Sequence, residues 1–277
     1  MIAIAIKTRL LYAQYVKDAV LDFGGKGHVG AFILESGISV RGVILPRPSS
    51  FVREAVRSVR EAYGLYIADE VQTGFGRYGH VFWGFEHGSS LPTPDIVTVG
   101  KAFGNAMPLA AVMITDAVAS DFEQSGMQYF NAFVGNPVCA AAGLAVMKTL
   151  DCEHLQQNAM IVGSYMKQKF MQLQDEFHII GDVRGVGMFL GIEFVRDQNT
   201  LEAASNEATS LINILKDKYN FLTSIDGPLG NVMVIKPPMV FSKDDVDEFL
   251  EAFRSAIACD LVGDIGEYSA DLRDRKL

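Results

Sequence analysis

The sequence predicts an α/β fold with a mainly parallel sheet, followed by a smaller α+β unit. Three observations carry this. Short apolar runs alternate with helical patterns through the first half, the runs have the length of buried strands, and after about Gln174 the order becomes strand, helix, strand, helix in a more charged stretch. The units implied are residues 1–174, 175–260 and a polar, acidic tail at 261–277.

Val29 to Leu34 and Leu65 to Ala68 read as strands. Between them Phe51, Val52, Ala55, Val56, Val59 and Ala62 recur at helical spacing, which makes one βαβ unit. Asp95 to Gly100 and Leu109 to Thr115 give two further strands. Pro137 to Leu150, alanine-rich with proline in its first turn, reads as a helix, and a second helix is expected over Glu153 to Leu173. In the smaller unit a strand is expected at Val186 to Phe194, a helix near Ala203 to Tyr219 and a strand at Asn231 to Ile235. The last helix begins at a capping box, Ser242 with Asp245, and carries Val246, Phe249, Leu250, Phe253 and Ile257 on one face.

A hydrophobic fraction of 49% over 277 residues is enough to fill a sizeable core. The net charge of -9 argues against an electrostatic grip on nucleic acid or an anionic membrane and favours a small-molecule partner. Three cysteines without a CxxC pair suggest neither a disulfide framework nor a zinc site, and the five histidines show no paired spacing, so no metal is implied. The start reaches Lys7 and Arg9 too soon for a secretory segment. Residues 125–147 lack charge, but Gln128, Asn131, Asn136 and Pro137 point to a buried loop and helix rather than a membrane span. A soluble intracellular protein is expected.

The chemistry concentrates after two strands. Asp69 and Glu70 follow Leu65 to Ala68, at the carboxyl end of a strand, where open α/β sheets collect ligands. Lys101 follows the next strand and precedes an apolar stretch, a setting that partly desolvates an ammonium and makes it nucleophilic. On position alone, a turn aspartate and a surface lysine are the simpler readings. Together, Asp69 and Lys101 supply the carboxylate and the amine that a pyridoxal-phosphate site needs.

The stretches DEVQTGFGR (69–77), TVGKAFGN (98–105) and FVGNPVCAAAGLAV (133–146) closely resemble class III aminotransferases. GMQYFNAFVGNP, GDVRGVGMFLGIEF and IKPPMVF resemble most the branch of that family that includes alanine-glyoxylate aminotransferases and amine phospho-lyases. The resemblance implies a fold-type-I transferase: part of the large pyridoxal-phosphate domain, the C-terminal small domain, and a homodimeric, mitochondrial setting. It implies pyridoxal 5'-phosphate as cofactor, with Lys101 forming the internal aldimine, Asp69 holding the proton on the pyridine nitrogen, and Gln72 bonding the ring oxygen. Arg77 and Arg184 are expected to brace the fold.

Three departures qualify that picture. Ala132 and Val134 stand where the family carries threonine and glycine, and alanine offers no hydroxyl to the cofactor phosphate. Residues 36–42 differ from the usual glutamine and paired-glycine pattern, and nothing in residues 1–30 repeats a phosphate-binding glycine turn. The resemblance therefore implies a family sequence without its N-terminal portion. It leaves two readings: a transaminase or phospho-lyase acting on a small amine or amino acid, and a silent member that works by associating with a full-length partner.

Overall fold

The computed structural model describes residues 2–46, 49–88 and 91–261. These form two compact units. The first takes the residues up to Gly37, Leu45–Gly76 and Val81–His154; the second takes Ile38–Ile44, Arg77–His80 and the chain from Leu155 on.

The first unit begins with helix α1 (Ile2–Asp22), which the sequence reading did not contain. It is followed by strand β1 (Ala31–Glu35), helix α2 (Ser49–Glu61), strands β2 (Leu65–Asp69), β3 (Ile96–Val99) and β4 (Ala111–Ile114), and helices α3 (Asp116–Gln124) and α4 (Pro137–Cys152). The sheet order is β1-β2-β3-β4, with the first three strands parallel and β4 antiparallel. Helix α2 forms because its apolar residues recur on one face, and it buries Val52 and Val56 against Tyr66 and Ala68 of β2. Val20 of α1 packs beside Val59 and Ala62 at the far end of α2. Asp95 aligns β3 with β2: its carboxylate accepts from the Tyr66 amide at 2.7 Å and is paired with Arg60. Asn136 caps α4 by accepting from the amides of Val138 and Cys139, with Pro137 in the first turn.

Only one face of this sheet is covered by α2. On the other, Ile33, Ile67, Ile96 and Ile114 stand in one register row across all four strands, and Ile33 is 60% and Ile114 43% exposed. The uncharged stretch expected to be buried is in fact open: Met127, Tyr129, Phe133 and Val134 are exposed, and Phe130 is 90% so. Among the described residues of the first unit, none buries these side chains. No helix among the described residues is long and apolar enough to cross a membrane.

The second unit contains α5 (Leu155–Glu176), β5 (Ile180–Val186), β6 (Phe189–Asp197), β7 (Glu202–Ala203), α6 (Ser205–Tyr219), β8 (Ser224–Asp226), β9 (Val232–Ile235) and α7 (Lys243–Ser255). Its antiparallel sheet runs β5-β6-β9-β8, with β7 beside β6. The boundary expected near residue 174 lies before α5 instead, because Val162, Met166 and Phe170 of that helix fill the core of the second unit. The single strand expected at Val186 to Phe194 is a hairpin, turned at Gly187 and Met188. Gly187 has φ 55 and sits where a Cβ would meet the Tyr78 carbonyl, so glycine is required there. Ser242 and Asp245 form the expected capping box on α7. Except for Leu261, the expected tail at 261–277 lies outside the described residues.

The core of the second unit centres on Phe170, Phe249 and Phe253, with the Phe170 and Phe253 rings 5.1 Å apart, edge to face. Phe253→Ala should therefore destabilise the second unit by about 3–5 kcal/mol. Denaturant unfolding followed by far-ultraviolet circular dichroism checks this, and a loss below 1 kcal/mol would contradict the packing described.

Candidate active site

The candidate cofactor residues Asp69, Gln72 and Lys101 all belong to the first unit. Asp69 ends β2, in register with Glu35 of β1 and Thr98 of β3. Lys101 opens a 3-10 turn (Lys101–Phe103) two residues after β3 ends. Because β2 and β3 are parallel, their carboxyl ends share one edge of the sheet, and both groups emerge there. The pairing continues past the strands through the Glu70 amide, which donates to the Thr98 carbonyl at 2.9 Å.

Asp69 is half-buried, and its Oδ1 accepts from the Val71 amide at 3.0 Å, the turn bond expected of an aspartate two residues upstream. Its Oδ2 accepts no hydrogen bond among the described residues. The half-buried Gln72 amide and the Lys101 ammonium likewise have no partner there. A carboxylate oxygen, an amide and an amine are thus available on one sheet edge. The desolvated setting expected for Lys101 is not found among the described residues, where Lys101 is exposed. The residue opens a turn beyond the end of β3. The lysine turn is strained all the same, since Lys101, Asn105 and Ala106 have φ of 38, 44 and 81. Left-handed backbone at residues other than glycine persists only where surrounding packing imposes it, and such positions cluster at functional sites.

Glu70 has a different place from its neighbour. It is 1% exposed, and four donors converge on its carboxylate: the hydroxyls of Ser36 and Thr73 and the amides of Gly84 at 2.8 Å and Phe85 at 2.7 Å. These bonds tie the end of β1, the loop after β2 and the turn at Gly84–Glu86 to one buried group. Sequence placed Glu70 in the pocket with Asp69; the structure turns it inward, because successive residues leaving a strand point to opposite sides. Ser36 and Thr73 gave no signal in the sequence, being ordinary turn residues until Glu70 lies between them.

The two arginines expected to brace the fold do so inside the second unit. Arg77 donates to the carbonyls of Met188 at 3.2 Å and Pro237 at 3.0 Å. Arg184 donates to the Gly42 carbonyl at 2.8 Å and pairs with Asp182 and Glu193. That unit also holds a cavity of about 460 Å³ beside Phe221, Thr223 and Phe241, and none of Asp69, Gln72 and Lys101 lines it.

Burial pushes the Glu70 carboxyl above the usual carboxylate range, and the four hydrogen bonds bring it back only in part. A folded-state value above the unfolded one means that the folded chain holds this proton more tightly. Stability from this group is then greatest at low pH and is lost as pH rises through the raised value. Glu70→Gln should abolish that component of the pH dependence. At neutral pH it should also cost about 1–3 kcal/mol, because an amide NH₂ would face groups that themselves donate. Denaturant midpoints measured against pH test both; an unchanged pH slope would place Glu70 in solvent.

Residues 9–257 match the family profile described as Aminotransferase class-III. The chain is 43% identical over 248 residues to an alanine–glyoxylate aminotransferase 2-like protein of Drosophila melanogaster, covering 89% of this chain and 50% of that protein. It is 40% identical over 246 residues to the mitochondrial alanine–glyoxylate aminotransferase 2 of Homo sapiens, covering 89% of this chain and 47% of the relative. Among solved structures, a phospholyase from Arthrobacter in complex with phosphoethanolamine superposes with a TM-score of 0.83 at 33% identity, over 89% of this chain and 58% of the other. The chain spans about half the length of the curated relatives it matches. With the profile matched over most of its length and the same architecture in the phospholyase, the chain belongs to the class III aminotransferase family.

Proposed function

We propose that this chain carries the lysine half of a pyridoxal-phosphate site of a transaminase or phospho-lyase acting on a small amine or amino acid. The observation that carries the reading is the shared sheet edge: Asp69 Oδ2, the Gln72 amide and the Lys101 amine all lie there without protein partners among the described residues. These groups fit the ring end of the cofactor. The phosphate end is poorer, since Ala132 lies in an exposed turn and offers no hydroxyl. When bound, the cofactor supplies an electron sink next to the substrate carbon.

Each residue then has a task. Lys101 Nζ would hold the cofactor covalently and, once displaced by the substrate amine, take the proton from the substrate carbon. Asp69 Oδ2 would hold the proton of the ring nitrogen, since an adjacent carboxylate favours the charged ring. Gln72 would donate to the ring oxygen. The same proton transfer at Lys101 serves transamination and loss of phosphate from a phosphorylated amine. The names of the relatives support both, and also support a mitochondrial setting. The family resemblance supports a homodimer.

A second reading has its own support. The isoleucine row with its exposed ends Ile33 and Ile114, the exposed aromatic stretch at 127–134 and Ala132 favour a silent chain that works by associating with a full-length relative. Parallel sheets are normally covered on both faces, and an apolar face left open is a docking surface.

Two measurements separate the readings. Borohydride reduction in the presence of pyridoxal phosphate, followed by peptide mapping, should label Lys101; label mainly on Lys236 or another lysine would remove the assignment. Titration with the cofactor should give weak binding, and Ala132→Thr should tighten it about tenfold or more, as expected for one added hydrogen bond to a charged group worth roughly 1.5–3 kcal/mol. Tight binding by the unaltered chain would remove the main support for the silent reading.

A further inference from the structure

Two loops must be held in a fixed relation for the proposed site to work: residues 70–76, which carry Gln72 and follow Asp69, and the Lys101 turn. The sheet aligns them only up to the bond from the Glu70 amide to the Thr98 carbonyl. Beyond it, each loop bonds to itself or its own neighbourhood. The Gly74 amide donates to the Glu70 carbonyl at 3.0 Å and the Gly76 amide to the Phe82 carbonyl at 2.9 Å. In the other loop, the Phe103 amide donates to the Gly100 carbonyl at 2.9 Å and the Asn105 amide to the Lys101 carbonyl at 3.2 Å. No backbone hydrogen bond links the two among the described residues.

Side chains join them: Val71 packs beside Gly100, its Cγ2 3.8 Å from where a Cβ there would lie, and farther along the loops one pair of rings stacks. Phe75 and Phe103 lie with centroids 5.3 Å apart and planes at 11°, an offset stack. Phe75 cannot move freely, because it is buried and held edge-on by Phe82 at 5.8 Å and Trp83 at 5.4 Å. Its backbone is left-handed, φ 63, so this loop too keeps a strained residue in place by packing. Behind Phe103 stands α4, whose Gly143 comes so close that a Cβ there would lie 3.3 Å from the ring and 2.4 Å from Leu109. Phe103 is thus clamped between α4 and a fixed Phe75, two residues from a lysine with φ 38.

We infer that the Phe75–Phe103 stack is the positioning element that sets Lys101 against Asp69 and Gln72. The inference rests on the proposed reading of Lys101 as the point of covalent attachment. Neither phenylalanine is a catalytic residue; both act through the loops they join. An aliphatic side chain could fill most of the volume but would not fix the angle between the loops, whereas tyrosine at 103 keeps the ring.

The test treats the full chain with excess pyridoxal phosphate, reduces with borohydride, and measures by mass spectrometry the share of label on Lys101 relative to all other lysines. Phe75→Leu and Phe103→Leu should each lower that share about tenfold, the scale on which small misplacements of reacting groups act. Phe103→Tyr should stay close to the parent. Val56→Ala, which weakens the same unit behind the sheet, should lower the thermal midpoint without changing the share. Should Phe75→Leu fail to fold, Phe103→Leu carries the comparison. Parent-like labelling in Phe103→Leu, or the same loss in Val56→Ala, would overturn the inference. Label scattered over many lysines in the parent would overturn the reading of Lys101 and this inference with it.

Discussion

Parallel pairing of β2 with β3 brings the last residues of both strands to one edge of the first unit's sheet, and the arrangement of the site follows from that edge. The register Asp69 to Thr98 fixes how far each strand extends before its loop begins. Asp95 helps to set it, since one carboxylate receives both the Tyr66 amide and Arg60 at the start of β3. A slip of one residue would turn Tyr66, Ala68 and Val97 away from α2 and lose the core they share, so packing on one face holds the chemistry at the end.

Adjacent acidic residues have opposite tasks for the same geometric reason. Asp69 keeps one oxygen bonded to its own turn and one oxygen available, while Glu70 is enclosed by four donors. A buried carboxylate is tolerated only when its hydrogen-bonding capacity is filled. That requirement explains why Ser36, Thr73, Gly84 and Phe85, from three separate segments, converge on one group. The loop bearing Gln72 is anchored at its root by Glu70 and near its end by the aromatic cluster around Phe75.

The first unit is well packed on one sheet face and open on the other, whereas the second has a closed core of its own. In the second unit α5, α6 and α7 cover the antiparallel sheet with Phe170, Leu211 and Phe253. In the first, both ends of the isoleucine row, Ile33 and Ile114, and the stretch around Phe130 remain exposed, while Ile67 and Ile96 are half-buried. Because the relatives are about twice as long as the matched segment, a shared sheet and an incomplete cover can coexist in one chain without conflict.

The sequence by itself determined the strands that alternate with helices, the α2 and α7 faces, the proline start of α4, the cap at Ser242, and the three candidate residues Asp69, Gln72 and Lys101. These are local signals: periodicity, capping chemistry and a motif that stays contiguous along the chain. The hairpin at Gly187, the membership of α5 in the second unit and the antiparallel direction of β4 were not legible. Each depends on which distant surface an apolar segment finds, and a short apolar run looks the same in either direction. The inward turn of Glu70, the exposure of Lys101 and the stacking of Phe75 on Phe103 were decided by tertiary structure alone. Burial, hydrogen-bond partners and ring contacts arise between segments far apart in sequence, so no local pattern records them.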